Sequence, residues 1–220
     1  MTSTLLISGL RRSGNHLIQH WLCSHFKTAV FCNNMPDLSD ESLVRRRKTW
    51  LYREGEFELG RIDDPELLLL GYEDKSAFTT YDDWYKYLDR KQTSGVAILI
   101  LRSFYNLAAS RIMKPEQTKS FNHDLPARWL DHARACLDSK NFINYDKFVA
   151  SSDYRAKLER KLLLPSMPDF DMSFVPNFGG GSSFSGPHQP LERYKQVEIP
   201  QEWMTDEIAR VNKEIFGWKM

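Results

Sequence analysis

The stretch Leu5-Leu6-Ile7-Ser8-Gly9-Leu10-Arg11-Arg12-Ser13-Gly14-Asn15-His16 decides the fold. An apolar run of strand length, Leu5–Ser8, meets a glycine, and a short turn leads to a second glycine. Leu17, Ile18, Trp21, Leu22 and His25 then follow at i, i+1, i+4, i+5 and i+8, one stripe of a helix. Strand, glycine-bounded turn and helix open a βαβ unit. Working outward, the alternation recurs. Ala29–Cys32, Leu67–Gly71, Val96–Leu101 and Phe142–Asn144 are further runs of strand length. They are continuous rather than alternating, as strands buried on both faces of a parallel sheet are. Phe104–Met113, Ala127–Leu137, Tyr154–Leu164 and Gln201–Phe216 read as helices, the third stopped by Pro165. Trp84, Tyr85 and Tyr87 are expected to pack another helix on the sheet. The reading is a single α/β domain over residues 1–220, three layers α/β/α around a mainly parallel sheet.

Composition narrows the function. Hydrophobic residues make up 41% of the 220, enough for an ordinary core without staples. Thirty Lys and Arg against 29 Asp and Glu leave a net charge of +1, which argues against a dedicated nucleic-acid binder but not against a local anion site. Three cysteines, Cys23, Cys32 and Cys136, have neither disulfide-framework nor zinc spacing, which points to a reducing, cytoplasmic setting. No apolar run approaches the roughly 20 residues of a membrane helix. The N-terminus lacks a charged region before its apolar stretch, so it reads as a first strand, not a leader. Two segments lack periodicity: 34–66, with Arg45-Arg46-Arg47-Lys48, and 165–192, with Gly179-Gly180-Gly181-Ser182-Ser183. Long aperiodic segments in compact domains are usually functional or disordered.

The interval Gly9-x4-Gly14 is that of a Walker A phosphate loop. Glycines let a chain curl round an anion, and the following helix adds its positive end. Asn15 and His16, however, stand where Lys and Ser or Thr belong, so neither the phosphate lysine nor the Mg²⁺ hydroxyl is there. A metal-dependent kinase or ATPase is disfavoured, and Arg11 and Arg12 can supply the charge instead. A second motif follows. The strand Val96–Leu101 ends at Arg102, where ligands bind in open α/β sheets, and Ser110 comes eight residues later on a helix.

With these two motifs the sequence resembles the sulfotransferases that use 3′-phosphoadenosine 5′-phosphosulfate (PAPS). Arg12-Ser13-Gly14 is similar to their modified phosphate loop, and Arg102 with Ser110 to their 3′-phosphate motif. Trp129-Leu130-Asp131-His132 resembles their Trp-x-x-His helix. Phe142-Ile143-Asn144-Tyr145-Asp146 resembles a strand whose Tyr lies near the adenine. Gly179–Ser183 sits where the family has a late Arg-Lys-Gly loop, here without Arg or Lys. The resemblance implies a P-loop-like sulfotransferase fold, PAPS as co-substrate and no metal.

The site residues it implies are Arg11, Arg12, Ser13, Gly14, Asn15, His16, Arg102, Ser110, Tyr145, Gly180, Gly181 and Ser182 around the cofactor. Arg12 would meet charge developing on the bridging oxygen. A base must take the proton of a hydroxyl acceptor, a small molecule or a glycan. Glu73, following the run Leu67–Gly71, is preferred, with Asp74, His123 and His132 as rivals. His20 and His25 read as packing residues. Segment 34–66 is the expected acceptor or lid region, in which Trp50, Tyr52 and Phe57 either line an acceptor pocket or pack the core, and 165–192 is the expected cofactor-covering loop. Two other functions remain open: a small-molecule kinase on a P-loop fold, and a non-catalytic 3′,5′-bisphosphate-binding protein.

Overall fold

The computed structural model describes residues 2–39, 49–53, 55–60, 62–113, 124–139, 141–165, 167, 170–172 and 193–217. The strands are β1 (Ser3–Gly9), β2 (Thr28–Cys32), β3 (Thr49–Arg53), β4 (Glu56–Leu59), β5 (Leu67–Glu73), β6 (Val96–Leu101) and β7 (Phe142–Asn144). The α-helices are α1 (Asn15–Ser24), α2 (Ala77–Lys91), α3 (Phe104–Ile112), α4 (Leu125–Ser139), α5 (Tyr145–Ala150), α6 (Ser152–Leu162) and α7 (Asp206–Phe216). Short 3₁₀ turns at Arg193–Gln196 and Gln201–Trp203 precede the last helix.

The sheet order is β4-β3-β2-β5-β1-β6-β7. Strands β2, β5, β1, β6 and β7 are parallel, while β3 and β4 are antiparallel additions at one edge. The continuous apolar runs have a two-sided explanation. Leu5, Ile7, Phe31, Leu67, Leu69, Ile98 and Ile100 pack with α1, α5 and α6. Their alternating neighbours pack on the other face: Leu6, Val30, Leu70 and Ala97 with α2, and Leu99 and Leu101 with α3, α4 and α7. Period two on both faces yields a run with no polar gaps.

Two expectations change. The aperiodic segment 34–66 contains the β3–β4 hairpin, whose Tyr52 and Phe57 ring with His20 and Phe170, at centroid distances of 5.0–6.3 Å from His20. Of the two readings of Tyr52 and Phe57, the packing one is what the structure shows, with Phe57 partly buried, and His20 is a packing residue as expected. On α2, Trp84 and Tyr87 are buried, but Tyr85 is exposed. One helical turn offers the sheet only one side, and Tyr85 falls outside it. Arg45–Lys48 lies outside the described residues.

Register places the functional edge. Gly9 lies opposite Glu73 on β5 and opposite Ile100 on β6, so the loops after β1, β5 and β6 emerge together. β1 has β5 on one side and β6 on the other, the point at which an open α/β sheet reverses its strand order.

Candidate functional site

The loop between β1 and α1 is held by its own backbone and by the Asn15 side chain. Ser13 N donates to Leu10 O at 3.0 Å, and Asn15 Nδ2 donates to Leu10 O at 3.3 Å. Asn15 Nδ2 also reaches Glu73 Oε1 at 3.1 Å. Arg12 and Gly14 have left-handed backbones, at φ 72 and φ 88. A Cβ on Gly14 would lie 1.9 Å from Cε2 of Tyr145, so only glycine fits there. Helix α1 starts at Asn15, and its leading N–H groups and positive end face the sheet edge.

Arginines converge on this loop. Arg102, directly after β6, is 2% exposed. Its Nη1 donates to Arg12 O at 2.9 Å, and its guanidinium lies 5.2 Å from the centroid of the Tyr145 ring. Its Nε and Nη2 have no hydrogen-bond partner among the described residues. Arg12 Nε donates to Ser110 Oγ at 3.3 Å, joining the loop to α3. Arg102 thus reaches the backbone of Arg12 and the Arg12 side chain reaches Ser110, so the two motifs, about 90 residues apart in the chain, meet at Arg12.

The N-terminus of α3 is otherwise satisfied. Ser103 N donates to Asp146 Oδ2 at 2.7 Å and Phe104 N to Asn212 Oδ1 at 2.9 Å. Burial pushes the Asp146 carboxyl up, while the charge of Arg102 acts against that rise. Tyr145, expected near an adenine, is buried between Gly14 and Arg102 and backs the loop.

The carboxylates sort themselves. Glu73 ends β5, with Oε2 3.6 Å from Arg11 Nε. Asp74, its rival as base, is held by a fully buried cation: Arg111 Nη2 lies 2.5 Å from Asp74 Oδ1. The same Oδ1 accepts Arg11 N at 2.9 Å. A carboxylate so engaged is a structural anion, and Asp74 is withdrawn as a base. His132 is withdrawn too. It is buried, its Nε2 donates to Ile100 O at 3.1 Å, and burial lowers its pKa to about 4. Three residues before it on α4, Trp129 Nε1 donates to Arg102 O at 2.9 Å. The Trp-x-x-His spacing thus serves to fasten α4 to the end of β6. Asp131 lies on the outer face, paired with Arg134 at 3.7 Å. His25 is fastened to Pro165 O at 2.8 Å, a packing role as expected. His123, Gly180, Gly181 and Ser182 lie outside the described residues.

His16 sits at the loop's other flank. Asn33 Nδ2 lies 3.3 Å from its Nε2, and an amide nitrogen can only donate, so Nε2 accepts. Burial lowers the His16 pKa, with Glu73 opposing and Arg12 adding to the fall.

The chain matches no protein-family model and no curated protein. The functional reading therefore rests on the site. Among the described residues, no three His, Cys, Asp or Glu side chains group to hold a metal, and no helix is long and apolar enough to cross a membrane. Arg111, Arg128 and Asn33 were not singled out from sequence. Arg111 carried one usable signal, a charged residue inside the inward-facing run Leu107–Ile112.

Proposed function

We propose that this protein is a PAPS-dependent sulfotransferase with a P-loop-like sulfotransferase fold. The observation that carries the reading is Arg102, a buried cation with two idle N–H donors beside a glycine loop and a serine. Idle buried donors are costly, and an anion of phosphate geometry relieves both at once. In this reading Arg102 and Ser110 hold the 3′-phosphate side. The loop amides at Gly14–His16 and the head of α1 hold the 5′-phosphate side, with Arg11 at the rim, while Ser13 N closes the turn on Leu10 O.

Transfer is an in-line displacement. The acceptor oxygen bonds to sulfur as the bond from sulfur to the bridging oxygen breaks, and the 5′-phosphate leaves as an anion. By analogy with phosphoryl transfer, positioning and charge stabilisation carry most of the catalysis. Arg12 meets the charge growing on the bridging oxygen, and Glu73 takes the acceptor's proton. No step calls for a metal. The acceptor is a hydroxyl on a small molecule or glycan, and the three buried cysteine thiols suit a cytoplasmic setting.

Calorimetry with the product 3′,5′-bisphosphate (PAP), adenosine 5′-phosphate and Mg-ATP tests this. PAP should bind at least about tenfold tighter than the monophosphate, the worth of one charge-assisted bond, and should do so in chelator. Preference for Mg-ATP would move the reading to a kinase. Tight PAP binding without transfer of label from PAPS to any hydroxyl pool would leave a non-catalytic bisphosphate binder.

A further inference from the structure

We infer that the buried Arg111–Asp74 pair is a positioning device that sets the anion loop and the Glu73 carboxylate in one register. It rests on the sulfotransferase reading for the role of Glu73, and on the loop's hold on a nucleotide 5′-phosphate.

The backbone of Arg11 is gripped on both sides of its Cα by the two members of one ion pair. Asp74 Oδ1 accepts its neighbouring N–H, Arg11 N, at 2.9 Å. Arg111 Nε donates to Arg11 O at 3.2 Å. The pair closes on itself through Arg111 Nη2 and Asp74 Oδ1 at 2.5 Å, with side-chain exposures of 0% and 3%. Asp74 N donates to Gly9 O at 3.2 Å, and Arg128 Nη1 donates to Asp74 O at 3.3 Å. Asp74 itself stands at φ 57, a left-handed position that Asp tolerates better than most residues.

The pair's chain neighbours are the site's own residues. Asp74 follows Glu73, and Arg111 follows Ser110. The clamp therefore joins the end of β5, the phosphate loop and α3 at a point one residue from each proposed contact. A buried ion pair is weak evidence for stability, because an apolar pair of similar volume is often as good. What apolar groups cannot do is hold the N–H and the C=O of one residue, and so the two successive peptide planes of the loop, in fixed directions. Preorganised loop donors need that kind of support from behind.

The test separates holding the fold from holding the loop. In Asp74→Asn/Arg111→Met, Asn keeps the left-handed backbone and an acceptor for Arg11 N, and Met fills the buried volume without a charge. Melting temperature and calorimetry with adenosine 5′-phosphate and PAP are compared with the wild type. The double variant should melt within about 5 °C of the wild type. It should bind both nucleotides about tenfold or more weaker, because the loop serves the 5′-phosphate they share. Arg111→Lys keeps the charge and loses the fork; it should weaken both ligands at nearly unchanged melting temperature, and it decides the matter if the double variant does not fold. Wild-type affinity in a folded variant overturns the inference. Wild-type protein that binds the monophosphate as tightly as PAP refutes the sulfotransferase reading and leaves the clamp standing. Wild-type protein that binds neither overturns both.

Discussion

Replacing Arg102 by Met should cost binding without costing the fold. Met loses the bond from Nη1 to Arg12 O and the contact with the Tyr145 ring. These are worth about 0.5–1.5 kcal/mol and about 0.5–2 kcal/mol. Met also removes two buried donors that have no partner among the described residues, each costing about 1–3 kcal/mol. Asp146 loses the Arg102 charge but keeps Ser103 N and Asn106 Nδ2 as donors. Gains and losses nearly cancel, so ligand-free stability should stay within about 2 kcal/mol, or about 4–8 °C for a chain of this size. Binding behaves differently. One charge-assisted bond to a phosphate is worth about 1.5–3 kcal/mol, so PAP should weaken by about 10–150-fold per bond lost. Adenosine 5′-phosphate should change little. Scanning calorimetry without ligand and titration with both nucleotides check this. A fall of more than 10 °C, roughly what a loss beyond about 3 kcal/mol produces, would show that Arg102 is a structural cation. Equal weakening of both nucleotides would refute the 3′-phosphate assignment.

Two further perturbations bear on the site. Glu73→Gln should lower kcat by about 10²–10⁴-fold and leave PAP affinity within about threefold, since a base acts on the acceptor; PAP release at saturating PAPS with a competent hydroxyl acceptor measures it, and unchanged kcat removes Glu73 as base. Stability should fall on acidification. His132 and His20 are held near a pKa of about 4 by burial, against about 6.5 when unfolded. A depressed histidine makes the unfolded chain the better proton binder. This contribution is therefore complete above about pH 6.5 and lost as pH falls toward 4, at up to about 1.4 kcal/mol per pH unit for each. Asp146, raised by burial, works in the opposite sense, gaining stability as pH falls from its raised pKa to about 3.8, within the lower part of the same range. Melting temperatures across that range should show His132→Gln with a shallower slope than the wild type; an identical slope would remove His132 from the account.

Much of the sheet was legible because its signals are local. Val96–Leu101 and Phe142–Asn144 coincide with β6 and β7 residue for residue, and the loop before α1 announces itself through two glycines and two arginines. The hairpin β3–β4 was not legible. Its strands have five and four residues, carry Thr, Arg and Glu, and gain their stability from pairing with β2. The site divides similarly. Arg102 and Ser110 lie at a fixed spacing on a strand and the next helix, so a motif can display them. Asp74 looked like a spare base because its partner, Arg111, is 37 residues away and reaches it only through the fold. His132 looked like a base because a histidine on a helix does not reveal that the carbonyl of Ile100 lies opposite it.

The hairpin also decides how the sheet ends. An exposed strand edge is a template on which another chain can pair, and proteins blunt it with charge or brevity. In the described sheet the outer strand on one side is β4, only Glu56-Phe57-Glu58-Leu59, with both glutamates exposed. On the other side the outer strand is β7, three residues long and followed at once by α5. One margin is guarded by like charges and the other by lack of length. The longer apolar strands β1, β5 and β6, which would be the adhesive part of this chain, are kept inside, where every neighbour is already a strand of the same molecule.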